Sequence, residues 1–485
     1  MHTAAVPEIR ETHTGVVALV GDRAYKVKKP VTTDFLDFST TARREQACER
    51  EVRLNSRLSA DSYLGIAHLS SVDGGDPEPV IVMRRYPDRY RLSSLVRGGA
   101  DERRLRDQLR AVAQVLARFH ADARRGRDVD ADGTVAAVTA RWTENLDELQ
   151  RFGDMVDQQV VGEVRRLATA YLAGRAVLIA TRLADRRIVD GHADLLADDI
   201  FCQPDGPALL DCLDFDDRLR HVDGVDDAAF LAMDLEFLGA RELGDHFMAE
   251  YQRAAADPAP ESLVDFYIAY RAVVRAKVDC IRFGQGVSGA RADARRHLDI
   301  ALSHLRHGAV RLILVGGGPG TGKTTLARAL AQNLGAQVIS TDDVRRELQR
   351  TGVLSGEAGA LDTGLYAPEN VAVVYDTVLR QAHVSLSRGR SVILDGTWRD
   401  ARQRERARDL AQQLSTGLIE LSCTTELSEA KARIAARTAS SSDATPQIAE
   451  AITDGPGWQG AHPINTAQPL ADSVAEAQQI CCVAI

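Results

Sequence analysis

The chain has 485 residues, 45% of them apolar, and a formal net charge of −9. That length holds about three domains and the apolar share builds real cores, while the acidic balance argues against a protein that coats nucleic acid, because phosphate binding needs concentrated Lys and Arg. The seven cysteines are odd in number and include no C-x-x-C, the pattern of free thiols in a reducing compartment. No secretory leader and no apolar run of roughly 18 residues is legible, so no membrane contact and a cytoplasmic location are expected.

In chain order, Gly15-Val-Val-Ala-Leu-Val20 and Arg23-Ala-Tyr-Lys-Val-Lys28 read as two strands joined by a Gly21-Asp22 turn. Alternation puts Lys26 and Lys28 on one face. Residues 41–58 have helical spacing, with Ala47, Glu51, Leu54 and Leu58 on one side. Glu51 on a semi-apolar face asks for a cationic partner. A strand lysine paired with a helix glutamate is how protein-kinase-like folds aim a cation at ATP phosphates; a solvated surface charge is the competing reading. Residues 79–86 form a further strand, which in such a fold leads into a hinge and sets Met83 near the adenine. An ordinary core methionine explains Met83 equally well. Residues 101–123 read as an amphipathic helix with Leu105, Leu109, Val112, Leu116 and Phe119 on one stripe, and His120 reads as a core histidine.

The first chemical centre is Ile188-Val-Asp-Gly-His-Ala-Asp-Leu-Leu-Ala-Asp-Asp-Ile-Phe201, followed by Pro207-Ala-Leu-Leu-Asp-Cys-Leu-Asp-Phe215. The order H-x-D-x4-[N/D], then a strand ending in Asp, supplies one base and two metal ligands. Asp194 would accept a substrate hydroxyl proton, and Asp199 and Asp211 would hold Mg²⁺. With these motifs on the page, residues 12–283 resemble the aminoglycoside phosphotransferase-like kinases. They are most similar to a branch marked by Tyr25-Lys-Val-Lys-Lys-Pro30, Phe35-Leu-Asp-Phe-Ser39, Cys48-Glu-Arg-Glu-Val-Arg-Leu-Asn55, His192-x-Asp194, Leu210-Asp-Cys-Leu-Asp-Phe215, Ala229-Phe-Leu-Ala-Met-Asp-Leu235 and Tyr270-Arg-Ala-Val-Val-Arg-Ala-Lys277. That branch occurs fused to a P-loop kinase. The resemblance implies a phosphate-anchoring pair Lys26–Glu51, the base Asp194, the metal ligands Asp199 and Asp211, and a bracing role for Asp227. Three positions depart from the family pattern: Ala193 stands for glycine, Asp199 for asparagine and Leu196 for histidine. Ala193 is expected to resist a positive φ at its turn. Asp199 adds a like charge beside Asp194 and Asp211. A second reading follows, in which this half is a ligand-binding pseudokinase that regulates its neighbour.

Residues 291–307 read as a helix stopped by Gly308 as a left-handed cap, and the short connection to a strand near Val310 implies halves packed together. Then comes Arg311-Leu-Ile-Leu-Val-Gly-Gly-Gly-Pro-Gly-Thr-Gly-Lys-Thr-Thr325, which fills G-x-x-x-x-G-K-[ST] between a strand and a helix. Gly317, Gly318, Gly320, Thr321, Gly322 and Thr325 would cradle phosphates with backbone N–H groups. Lys323 would reach the β- and γ-phosphates, and Thr324 would ligate Mg²⁺. Residues 337–340 are a second strand. Asp342 beyond it is the candidate base. Asp342 or Asp343 could also cap the following helix, a role compatible with the first, and Arg345 is a substrate- or phosphate-binding cation. A long helix follows from residues 366–369 to 383. Val392-Ile-Leu-Asp395 reads as a strand ending in a metal-shell carboxylate, residues 399–408 as a solvated helix, and residues 418–423 as a fourth strand. Arg433 and Arg437, four apart on a helix, suit a lid closing on ATP. Residues 439–446 read as a mobile loop, and Ile480-Cys-Cys-Val-Ala-Ile485 as a buried terminal strand, with metal binding by the cysteine pair as its alternative. This half is similar to the P-loop kinase group that includes gluconate kinase, zeta toxins and polynucleotide 5′-kinases.

The expected fold is an α+β, two-lobed protein-kinase-like domain over residues 1–307, with lobes of about 1–83 and 84–307. An α/β P-loop domain with a parallel sheet follows over residues 308–485. The expected activity is transfer of the ATP γ-phosphoryl group to a hydroxyl of a small molecule, with ATP and Mg²⁺ bound at two sites. Phosphorylation of RNA or DNA 5′ ends by the P-loop half is a further reading, which the acidic charge disfavours. Neither the acceptor nor the oligomeric state is legible.

Overall fold

The computed structural model describes residues 7–11, 14–32, 37–70, 74, 76–357, 363–436 and 458–483. The chain forms two compact units. One comprises Met1–Gly162, Ala180–Ala259 and Tyr267–His304; the other comprises Glu163–Ile179, Pro260–Phe266 and Leu305–Ile485.

The first unit opens with an antiparallel sheet of β1 (Glu8–Glu11), β2 (Gly15–Val20), β3 (Arg23–Lys28), β4 (Tyr63–Leu69) and β5 (Glu78–Arg84), in the order β1-β2-β3-β5-β4. Gly21, with φ of 58°, makes the tight β2–β3 turn. The helix Thr41–Ser59 follows β3 and packs on β4 and β5. Thr40 starts it, its side chain accepting from the Arg43 N–H. Its buried side carries Cys48, Glu51, Leu54 and Asn55, so a carboxylate lies in the core beside β3. The rest of the unit is mostly helical. The helix Glu102–Asp122 buries Leu105, Leu109, Val112 and Leu116, and His120 lies 4% exposed on the same stripe. Two short hairpin-like sheets interrupt the helices: β6 (Ile188–Asp190) with β9 (His221–Asp223), and β7 (Ile200–Gln203) with β8 (Gly206–Leu209). Residues 191–199 run between β6 and β7, and residues 210–216 follow β8, so the acidic motifs lie on loops held by paired strands.

The second unit is built on a five-stranded parallel sheet of β10 (Arg311–Gly316), β11 (Gln337–Ser340), β12 (Val392–Asp395), β13 (Gly417–Thr424) and β14 (His462–Asn465), ordered β11-β12-β10-β13-β14. Its central strand, β10, is apolar on both faces, as a sheet covered on both sides requires. Ile313, Val315, Ile419, Leu421 and Cys423 pack with Leu326 and Leu330 of the helix Lys323–Leu334 and with Val474, Ala477 and Cys481. Those last three lie on the helix Leu470–Val483. The chain end is therefore a helix as far as Val483 and not a strand. Val474, Ala477 and Cys481 recur at helical steps, burying Cys481 while Cys482 faces outward. The last strand is β14, which contains Pro463 and sits at the sheet edge, where a missing N–H is tolerated. Gly308 lies outside the left-handed region. Its lack of a Cβ serves instead the close approach of the Asp265 side chain, which a Cβ would meet at 2.6 Å. Among the described residues no single helix is long and apolar enough to cross a membrane.

Candidate active sites

In the second unit, β10 ends at Gly316 and the chain turns through Gly317, Gly320 and Gly322, with φ of 143°, 79° and 80°. All three lie in conformations that L side chains rarely adopt. Two of them also lack room. A Cβ on Gly320 would overlap the Ala430 carbonyl, and one on Gly317 would sit 2.7 Å from the Cys423 carbonyl oxygen and the Thr321 hydroxyl. Gly318 has ordinary φ and free space. Thr321 folds back onto the loop, its hydroxyl donating to the Gly318 carbonyl at 2.8 Å. The helix Lys323–Leu334 begins at the loop, so its free N–H groups and positive dipole end face the turn. Lys323 and Thr324 are half-buried in its first turn, and Thr325 is exposed.

Sheet register brings the next groups in. Asp395 is paired in register with Val315 of β10 and Ser340 of β11, which places it beside the loop. The Thr324 hydroxyl donates to Asp395 Oδ2 at 2.7 Å. Asp395 is 2% exposed, and its Oδ1 is buried without a hydrogen bond. Burial pushes its carboxyl up, opposed by the charge of Lys323. An orphaned carboxylate oxygen beside a threonine hydroxyl and a phosphate cradle suits a cation. Among the described residues no three acidic, His or Cys side chains converge on one point, and Mg²⁺ does not need them, because phosphate oxygens and waters complete its shell. Thr324 and Asp395 therefore fit Mg²⁺.

Asp342 and Arg345 lie on the helix Thr341–Arg350. Ser340 holds the cap position, so neither Asp342 nor Asp343 caps this helix. Arg345 Nη1 donates to Asp342 Oδ1 at 2.6 Å and its guanidinium stacks 4.3 Å over the Tyr366 ring. Arg345 is 6% exposed and its Nε has no hydrogen bond. The structure thus joins the candidate base and the candidate substrate cation into one pair, and the Asp342 charge reaches Asp395. Arg433, on the helix Leu427–Ala435, pairs with Glu429 and donates to the Thr466 carbonyl at 2.9 Å. Its Nη1 would lie 3.5 Å from a Cβ on Gly322, so it reaches the phosphate loop. Thr466, which our reading of the sequence passed over, ties the end of β14, the strand just before it, to the loop by donating to the Thr321 carbonyl at 2.6 Å. Trp458 covers Gly316, where a Cβ would overlap its ring, and its Nε1 donates to Glu420. Arg437 and residues 439–446 lie outside the described residues.

In the first unit, Glu51 is 1% exposed and divides its oxygens between two lysines. Lys26 Nζ donates to Oε1 at 2.8 Å and Lys28 Nζ to Oε2 at 2.7 Å. Lys26 also donates to Asp211 Oδ1 at 3.0 Å. Burial works against the Lys26 cation, but Asp211 and Glu51 outweigh it and hold its pKa well above the usual range. Lys26 in turn pulls the Asp211 carboxyl down. Burial, with the charges of Asp211 and Asp194, pushes Asp199 well up. Burial raises Asp194 to about 6, with Arg275 opposing and Asp211 adding to the rise. A group of carboxylates that resist joint ionisation is a donor set that a bound cation would relieve, so Asp199 and Asp211 fit Mg²⁺. Met83 is half-buried in β5, opposite Ala24 and Tyr63, and packs against the cluster of Cys48, Tyr63 and Ile81.

The loop before Asp194 shows why Ala193 is tolerated. Ala193 has φ of 68°, the left-handed conformation that its side chain was expected to resist. Asp227 holds it there, accepting from the His192 N–H at 2.6 Å and the Ala193 N–H at 2.7 Å. His120 completes the brace, with Nε2 2.9 Å from Asp227 Oδ2 and Nδ1 2.7 Å from the Tyr251 hydroxyl. The strain of one such residue, about 1–2 kcal/mol, is small beside three hydrogen bonds to a buried carboxylate. His120 is thus more than a packing residue. Its helical stripe showed that it was buried, and nothing local showed what it faced. Asp211 also has positive φ, 62°, and its N–H donates to the Tyr63 hydroxyl at 3.3 Å.

Comparison with known proteins adds the following. A family profile described as an AAA domain matches residues 312–455. The chain is 55% identical over 475 residues to the "Uncharacterized protein Rv2004c" of Mycobacterium tuberculosis, covering 98% of this chain and 95% of that one, and equally to its Mycobacterium bovis counterpart "Uncharacterized protein Mb2027c". Among solved structures, a gluconokinase from Sinorhizobium meliloti aligns at 19% identity and a TM-score of 0.27, covering 36% of this chain and 93% of its own. A choline/ethanolamine kinase family protein from Mesorhizobium loti aligns at 13% identity and a TM-score of 0.35, covering 63% of this chain and 94% of its own.

Proposed function

The chain belongs to the family of these mycobacterial proteins, and from its two sites we propose that it is an ATP-dependent phosphotransferase that moves the γ-phosphoryl group to a hydroxyl of a small molecule. The observation that carries this is the Thr324–Asp395 pair, set at a glycine loop of three positive-φ residues that runs into the N-terminus of the helix Lys323–Leu334. That is the equipment of phosphoryl transfer, which rests on positioning and charge neutralisation.

In the P-loop unit the loop N–H groups and Lys323 bind the phosphates, and Arg433 reaches the loop from the side. Asp342, oriented by Arg345, accepts the acceptor's hydroxyl proton at a carboxylate oxygen. Bound Mg²⁺, held by Thr324 and Asp395, would neutralise charge on the phosphates. The first unit is a kinase-like domain with a second nucleotide site. There Glu51 holds Lys26 on the phosphates, Asp194 accepts the proton, and Asp227 fixes the loop that carries it. Met83 would lie at the adenine, and Asp199 with Asp211 would hold Mg²⁺, which would neutralise phosphate charge there. The acceptor is a small hydroxylated molecule, and free thiols suit a reducing cytoplasm.

The test uses the full chain, labelled ATP with Mg²⁺, and a panel of small hydroxylated compounds. Label should pass to one class of acceptor. Lys323→Ala should abolish most of the turnover, and adding Asp194→Asn should remove the remainder. Turnover that persists in the double variant would sink the assignment of both sites.

A further inference from the structure

The Lys26–Glu51 pair has a second cation that the proposed mechanism does not use. Lys28 is two residues along β3, on the same face, and only 7% exposed. Its ammonium donates to Glu51 Oε2 at 2.7 Å and to Asp214 Oδ2 at 3.2 Å, and lies 5.0 Å from the Phe38 ring centroid. The arrangement is doubled. Lys26 joins Glu51 to Asp211, and Lys28 joins the same Glu51 to Asp214, three residues further along one loop. Glu51 spends one oxygen on each lysine.

That division matters when a polyanion arrives. Lys26 is shared between Glu51 and Asp211, so a phosphate must draw it off a carboxylate. If Lys26 were the only partner of Glu51, its shift would loosen a carboxylate that is almost wholly out of water, which is costly. Lys28 removes that cost, because it keeps Glu51 tied whatever Lys26 does. It also offsets the carboxylates: without it, Glu51, Asp211 and Asp214 would face a single cation, which they would hold back from phosphate.

We propose that Lys28 is a positioning residue of the first unit. It anchors Glu51 and shares the load of the carboxylates, so that Lys26 is free to engage a nucleotide phosphate, while Lys28 itself touches no ligand. This rests on the reading of the first unit as a nucleotide site. It adds a role for Lys28 that differs from that of Lys26.

The experiment uses the full chain carrying Lys323→Ala, so that the P-loop site is weakened, and titrates Mg²⁺ with the non-hydrolysable ATP analogue AMPPNP, and separately adenosine, by calorimetry. Lys28→Met should weaken AMPPNP binding about tenfold and leave adenosine within about twofold, because only phosphate binding depends on Lys26. In a Lys26→Met background it should add less than about twofold, since its effect passes through Lys26. Lys28→Arg, which keeps the cation, should restore most of the affinity. Lys28→Gln offers the same comparison if the methionine variant fails to fold, with melting temperature as the control. Additive losses from Lys28→Met and Lys26→Met, or equal loss of adenosine, would overturn the proposal and leave the nucleotide reading standing. If Lys26→Met itself leaves AMPPNP binding unchanged, the nucleotide reading of the first unit falls and this proposal falls with it.

Discussion

At the residue scale, the glycines of the phosphate loop are not equivalent. Gly317 and Gly320 combine positive φ with carbonyl oxygens where a Cβ would go, whereas Gly318 has neither constraint. Gly318→Ala should therefore keep ATP binding within about threefold, and Gly320→Ala should lose more than about tenfold, since it must displace the backbone at Ala430. Titration of ATP into each variant reads this directly. Asp194 gives a pH prediction. Its carboxyl is raised to about 6 by burial, so below that pH it already carries a proton and cannot take up one from an acceptor hydroxyl. Turnover by the first unit, measured in Lys323→Ala protein, should fall as pH drops through about 6 and plateau above it. A flat profile between pH 5 and 8 would remove Asp194 from the role of base.

At the element scale, the loop of residues 191–199 is held from outside by two carboxylates on the helix Gly224–Phe237, Asp227 and Asp234, the latter accepting from the Ala197 N–H at 2.8 Å, with His120 of the helix Glu102–Asp122 behind Asp227. Burial works against the Asp227 anion, but the hydrogen bond and charge of His120, with His192, outweigh it and hold its carboxyl far below the usual range. A group whose folded pKa is depressed stabilises above the unfolded value near 3.9 and loses that contribution as pH falls. Acid melting of the first unit should accordingly begin near pH 4, and Asp227→Ala should cost about 3–5 kcal/mol at neutral pH, since it strands two N–H groups and His120. Chemical denaturation of wild type and variant checks both. The terminal helix makes a simpler test. Cys482 is exposed, while the other six thiols are buried, so a thiol reagent should modify one cysteine per native chain quickly and seven after unfolding. A fast second thiol at Cys481 would contradict the helical face.

At the scale of the whole molecule, the compact P-loop unit also takes in Glu163–Ile179 and Pro260–Phe266. Arg175, 1% exposed, donates to the carbonyls of Leu386 at 2.7 Å and Leu414 at 2.9 Å and to the Thr416 hydroxyl at 3.0 Å. These carbonyls close the C-terminal ends of two helices, where a cation is favoured. Burial lowers its pKa to about 10, and no carboxylate compensates. Ser262 donates to the Gly389 carbonyl at 2.7 Å. A fragment of residues 308–485 lacks Arg175 and Ser262, leaves their acceptors without these donors, and should melt well below the same unit in the full chain, by about 5 °C or more for each 2 kcal/mol lost. Calorimetry of fragment and full chain decides it, and equal melting would show the two segments to be dispensable.

The sequence by itself determined the parts whose physics is local. The strand–glycine loop–helix at 311–334 declares its backbone through glycine spacing, and the period-two strand with the period-3.6 helix after it turned Lys26, Lys28 and Glu51 toward a common space. The parallel strands β10 to β13 were legible as short apolar runs, β10 ending in the glycine loop and the others in polar residues. Tertiary structure decided what depends on distant partners. It set the order β11-β12-β10-β13-β14, which puts Asp395 beside Thr324. It allowed Ala193 a left-handed turn, because Asp227 supplies two acceptor oxygens there. It made residues 480–483 helical, since a face of Val474, Ala477 and Cys481 could bury itself against the sheet while a lone apolar run could not announce which partner it had. It also gave Gly308 to the Asp265 side chain and segments near residues 170 and 263 to the P-loop unit. Local propensity and periodicity state which faces must be covered, and only the folded chain states what covers them.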